Sequence, residues 1–149
     1  MRVVLQRVLE AKVIVDHHPV GEIKKGLLIL VGVSNEDSKS DLDWIVNKII
    51  NLRIFSDKEG KMNLSLKDIQ GEVLIVSQFT LFASTKKGNR PSYLRSAKPD
   101  IAIPLYDDFV NAFRKEGFNP EEGIFGADMK VHLVNDGPVT ISIDSKNRE

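Results

Sequence analysis

The run Val73 to Ala83, VLIVSQFTLFA, limits what this chain can fold into more than any other stretch. Its first four residues are uninterruptedly apolar and suit a strand covered on both faces. The chain then turns polar, to Ser77-Gln78-Phe79-Thr80, with no glycine or proline between. If the strand continues, alternation puts Gln78 and Thr80 on one face and Ser77 and Phe79 on the other. Three hydrogen-bonding side chains at the end of a buried strand need partners, because an unpaired buried polar group costs about 1–3 kcal/mol. Two accounts stand here: the side chains bond neighbouring backbone, as polar residues at strand ends commonly do, or they face a ligand.

The pattern around that strand is mostly β. Residues 2–8 and 11–16 read as two short strands, with His17-His18-Pro19 as a connecting turn. Val20 to Ile23 is a short strand and Leu27 to Val33 a central one. From Asp41 to Leu52, Leu42, Ile45, Val46, Ile49 and Ile50 form one helical stripe. Arg53 to Phe55 and Met62 to Leu66 resume strand character about a turn at Gly60. Residues 100–116 form a second helix, with Ile101, Leu105, Phe109 and Phe113 at spacings of four and Pro104 in its first turn or marking a slightly later start. Ala127 to Val134 and Val139 to Asp144 are strands joined by a turn at Asn135-Asp136-Gly137-Pro138. Short turns favour antiparallel pairing. The expected fold is α+β, a mainly antiparallel, barrel-like sheet with two helices packed on it, in one domain spanning residues 1–149.

Composition removes several functions. Lysine and arginine number 21, as do aspartate and glutamate, so no global basic field exists to coat nucleic acid. Cysteine is absent, which removes disulfides, thiolate metal sites and cysteine nucleophiles. His17 and His18 point to opposite faces of any strand, and with one further histidine they assemble no ligand set, so no metal is expected. The longest apolar run is too short to cross a bilayer and no signal peptide is visible, so a cytoplasmic protein without a membrane partner is expected. Charge is uneven locally. Ser84 to Lys98 holds Lys86, Lys87, Arg90, Arg95 and Lys98, no acid, and Tyr93 among them. A solvated loop and a phosphate-binding loop explain this equally well.

The motifs together carry a resemblance. SQFTL at residues 77–81 and NDGPVT at 135–140, with KGNRPS between them and FGADMKVHLV leading into the second, cover the family pattern along nearly the whole chain. The chain resembles the D-aminoacyl-tRNA deacylases of the bacterial and eukaryotic type. It departs from them in loops, at His17-His18 and around Tyr93 to Ile103. The resemblance implies a homodimer that hydrolyses the ester joining a D-amino acid to the 3′ acceptor end of tRNA, without a cofactor. It implies a cis Gly137-Pro138 bond reaching into the partner subunit's pocket, where the carbonyls exclude an L side chain. Such a gate cannot exclude glycine, so glycyl-tRNA, including glycine mischarged on the alanine tRNA, is a further implied substrate.

By the same resemblance Ser77, Gln78, Phe79 and Thr80 form the catalytic segment. No base is evident to activate Thr80 as a nucleophile. The segment is therefore expected to position the ester and a water, the N–H groups of Phe79 and Thr80 stabilising the oxyanion and the 2′-hydroxyl of the RNA assisting. Phe125 and Met129 are expected to line the substrate pocket, and Lys86, Lys87 and Arg90 to hold tRNA phosphates. The rival reading is a non-catalytic nucleic-acid-binding module, which would use the basic loop and leave SQFTL idle.

Overall fold

A long strand organises the computed structural model, which describes residues 1–149. β1 (Arg2–Val15) is continuous where two strands were expected. One edge of β1 pairs antiparallel with β8 (Lys130–Asp144) along most of its length. β3 (Gly26–Gly32) pairs with its first half, Arg2 to Val8, and β2 (His18–Ile23) with its second, Ala11 to Val15. The register shifts in its β8 pairing, between Gln6 and Glu10, let one strand bend through the junction without ending. The β1–β2 turn is Asp16-His17, both at positive φ, so His18 and Pro19 already belong to the edge strand.

The sheet is mixed. β6 (Glu72–Ser77) pairs parallel with β3, and β7 (Glu121–Glu122) parallel with β6. This corrects the antiparallel expectation for these strands. Between β3 and β6 lie α1 (Lys39–Asn51) and a small hairpin of β4 (Phe55–Ser56) and β5 (Met62–Leu64), long enough to carry the chain back to the same end of the sheet. The fold remains α+β, a nearly closed barrel-like sheet with two helices.

The core has two parts. The larger joins Val3, Leu5, Leu27, Ile29, Val73 and Ile75 to α1 and α2 (Pro99–Lys115). The smaller fills the other face of the strands with Val8, Val13, Leu28, Leu74 and Val76. β3 and β6 are thus covered on both faces, as their apolar runs require. In α1 the expected stripe, Leu42 to Ile50, is buried. In α2 the buried face is Ala102, Tyr106, Phe109, Val110 and Phe113, so the stripe runs through Ala102 and Tyr106 and leaves Ile101 at the surface. Pro104 lies inside this helix, beyond the first turn. It removes one backbone donor there, and the buried aromatic face holds the helix across the gap.

Candidate active site

The polar end of the central run does not continue as a strand. Ladder pairing of β6 ends at Val31↔Ser77, and Gln78 adds one last bond from its N–H to the Val31 carbonyl, 2.7 Å. Phe79 to Phe82 then wind into a 3₁₀ turn. The cause lies on β3. A Cβ at Gly32 would sit 2.9 Å from the Gln78 carbonyl oxygen and 3.1 Å from the Leu81 Cβ, so the turn folds back over a position with no side chain. Arg2 holds the turn from β1. Its Nη1 donates to the Leu81 carbonyl at 3.1 Å, and its guanidinium lies 4.8 Å from the Phe82 ring centre.

Strand alternation therefore fails for Gln78 to Thr80. Gln78 Nε2 donates to Thr80 Oγ1, and no buried side-chain nitrogen or oxygen in the protein lacks a partner. Desolvation alone thus does not demand a ligand at this segment. The N–H groups of Phe79 and Thr80 precede the first bond of the turn, which Leu81 donates to the Gln78 carbonyl. A 3₁₀ start leaves such donors without a partner inside the turn.

A cavity of about 510 Å3 opens beside this turn, and twelve of its seventeen lining residues are apolar. That volume and character suit a small-molecule site. Ser77, Gln78, Phe79, Phe125 and Met129, singled out from two distant stretches, all line it. Thr80 does not, and touches it only by its hydrogen bond with the lining residue Gln78. His132 is on β8 next to Val131, faces the other way, and does not line the cavity.

Reading the sequence missed the floor. Tyr106 is 4% exposed and donates to the Ile75 carbonyl at 3.1 Å, tying α2 to β6 just before Ser77. Its ring meets Phe125 edge-on at 5.9 Å. Burial, with Glu122 nearby, pushes its hydroxyl above the usual tyrosine range, so it serves as a neutral donor. Only its register with Phe109 and Phe113, three and seven residues on, could have revealed it.

Gly137 and Pro138 lie elsewhere. The expected hairpin turn is a bulge in one continuous strand, because residues on both sides of it pair with β1 in the same direction. Asn135 faces Val8 and Thr140 faces Gln6, so five steps on β8 match two on β1 and three residues stand out of register. Asn135 Nδ2 closes the bulge, donating to the carbonyls of Arg7 (2.9 Å) and Val139 (3.0 Å). The buried Arg7 supports it through Asp136, with Nε at 3.0 Å from the carboxylate and 3.2 Å from the carbonyl. Gly137 has φ of 123°, where side chains are strained, and the Gly137–Pro138 bond is cis. Both residues are exposed and neither lines this chain's own cavity.

Lys86, Lys87 and Arg90 project from an exposed loop, closed where Ser84 and Ser92 exchange backbone hydrogen bonds of 2.8 and 2.9 Å. They are not in the cavity.

A family model described as D-Tyr-tRNA(Tyr) deacylase matches residues 4–144. A protein of Flavobacterium psychrophilum named D-aminoacyl-tRNA deacylase is 61% identical over the full length of both chains. The chain belongs to the D-Tyr-tRNA(Tyr) deacylase family. Another relative of that name, from Thermosipho africanus, is 59% identical over 98% of each chain. Among solved structures, one titled c-Myc DNA Unwinding Element Binding Protein superposes with a TM-score of 0.91 at 40% identity, covering 97% of this chain and 98% of that one. A probable eukaryotic D-amino acid tRNA deacylase shares the fold, with a TM-score of 0.79 at 22% identity over 95% and 97%. No helix of this deacylase-family chain is long and apolar enough to cross a membrane.

Proposed function

We propose that the protein hydrolyses the ester of D-aminoacyl-tRNA, releasing the free D-amino acid and tRNA. The observation that carries this reading is one apolar cavity where the SQF segment meets Phe125 and Met129, in a chain whose full-length relatives bear the deacylase name. The esterified nucleoside and amino acid occupy the cavity. Ser77 and Gln78 orient the ester and an attacking water, and the unpaired N–H groups at the start of the 3₁₀ turn meet the developing oxyanion. Thr80 holds Gln78 by accepting from Nε2, and so it is a positioning residue. The RNA supplies its own 2′-hydroxyl for the remaining proton transfer.

Chirality is read across a homodimer. The Gly137–Pro138 bulge stands out of register, is exposed and does not line its own cavity, which suits insertion into the cavity of a second copy. Its backbone carbonyls then occupy the place an L side chain needs, a rejection by steric and polar exclusion. Glycine presents no side chain to reject, so glycyl-tRNA, including that mischarged on the alanine tRNA, is hydrolysed too. Lys86, Lys87 and Arg90 hold acceptor-stem phosphates.

The second reading, a nucleic-acid-binding module without catalysis, draws on the basic loop and on the DNA-binding title of the 40% identical structure. One assay separates them. Purified protein is mixed with matched D- and L-aminoacyl-tRNA and ester loss is followed. Rapid loss of the D form alone supports the hydrolase; survival of both esters selects the binding module.

A further inference from the structure

The rim of the cavity carries two large rings that the fold leaves in solvent. Phe79 is 56% exposed and Tyr93 39%, and their centroids are 5.0 Å apart with planes at 68°. Neither ring joins either core cluster. An edge-to-face pair fixes the orientation of both rings and leaves ring faces free for another π system.

The position of the pair says what that system is. Among the lining residues Tyr106 is buried, Met129 is half-buried, and Phe79 and Tyr93 are the large rings left exposed. The exposed loop closed by Ser84 and Ser92 leads directly into Tyr93. Lys86, Lys87 and Arg90 fall inside that closure, and Tyr93 is the first residue after it. One loop thus presents cations at its tip and an aromatic ring at its root. A cavity, then rings, then cations matches an extended single strand of RNA, which offers a terminal nucleoside, then a base, then phosphates.

We propose that Tyr93, buttressed by Phe79, stacks on the nucleobase one step 5′ of the esterified nucleotide. The inference rests on reading the cavity as the aminoacyl-tRNA site. Every base has a π face, so the contact registers that a base is present and not which one, and it contributes about tenfold in affinity.

The test uses two D-aminoacyl esters, one of adenosine alone and one of the dinucleotide CpA. The quantity read is the ratio of kcat/KM for the dinucleotide over that for the nucleoside, within each variant. Any effect of Tyr93 on Phe79 and the chemistry cancels in that ratio. Tyr93→Leu should lower the ratio about tenfold through KM, while Tyr93→Phe keeps it. Equal ratios in wild type and Tyr93→Leu overturn the proposal. Calorimetry with uncharged CpA reads the same contact without hydrolysis. Binding about tenfold weaker in Tyr93→Leu supports stacking even if the wild type cleaves neither ester, an outcome that removes the hydrolase reading alone. Unchanged binding overturns stacking whatever happens to the esters.

Discussion

Thr80 is where residue-level reasoning had most to gain from coordinates. A hydroxyl in a polar segment invites the role of nucleophile, yet it accepts a hydrogen bond from Gln78, and no histidine or lysine lines the cavity. A neutral hydrogen bond is worth about 1 kcal/mol net, so Thr80→Ala should lower kcat/KM for D-aminoacyl-tRNA about fivefold. Removing a true nucleophile costs about 10,000-fold or more. Steady-state kinetics on the single variant decides, and a loss of the larger size would make Thr80 the attacking group. That Ser77, Gln78 and Phe79 stand apart was legible because polarity broke an apolar run without a turn residue, while their assignment to a site came from the resemblance. Their geometry was not, since the cause of the turn, Gly32, lies on another strand.

Among the elements, α1 shows a local signal completed from far away. Ser38 and Asp41 have capping spacing, and Asp41 accepts from the Ser38 N–H at 2.9 Å and hydroxyl at 2.8 Å. Lys146, from the other end of the chain, adds a third donor at 2.8 Å. Burial raises the Asp41 pKa, but the bonds from Lys146 and Ser38 outweigh it and hold the carboxyl well below its usual range. A depressed folded-state pKa stabilises the protein above the unfolded carboxylate value of about 4, and the gain drains away as pH falls below that. Asp41→Asn should be less stable than wild type near neutrality and lose less on going from about pH 5 to about pH 2.5. Urea midpoints at the two pH values check this. A wild-type drop no larger than the variant's would contradict it. The basic loop offers a second test. Lys86→Ala with Lys87→Ala should weaken tRNA binding and reduce the slope of log K against log salt by about one to two. A salt titration that leaves the slope unchanged returns both lysines to solvent.

For the whole molecule, the proposed arrangement of two copies has its own experiment. A chain with a dead cavity (Gln78→Ala) is mixed and reannealed with a chain whose gate is altered (Pro138→Ala). If Gly137 and Pro138 act across subunits, each mixed dimer contains one complete site, the intact cavity of one chain facing the intact gate of the other. Selectivity for the D over the L ester should then rise above that of the Pro138→Ala parent, whose remaining homodimers keep it below wild type. If each gate serves its own chain, the mixture keeps the poor discrimination of the Pro138→Ala protein. Chiral selectivity of the mixture against that of each parent is the measurement.

Local chemistry settled much of this protein from sequence. The 3.6-residue stripe of α1, the doubly buried runs of β3 and β6, and the polar break after Val76 each depend on neighbours a few residues away. The same holds for residues 100–116, where Phe109 and Phe113 of the expected stripe are buried and Leu105 packs on the core, although Ile101 is exposed and Ala102 and Tyr106 take its place. Tertiary structure decided whatever depended on a partner strand. β1 is one strand because β8 spans its junction, NDGP is a bulge because both of its flanks pair with β1, and β6 is parallel to β3 because a crossover separates them. The opening run marks the boundary. Its apolar half became the expected strand, while its polar half left the sheet where β3 ran out and Gly32 left room for a turn. A chain's own pattern sets which residues are covered, but a strand ends where its neighbour stops supplying hydrogen bonds, and that neighbour is chosen only in three dimensions.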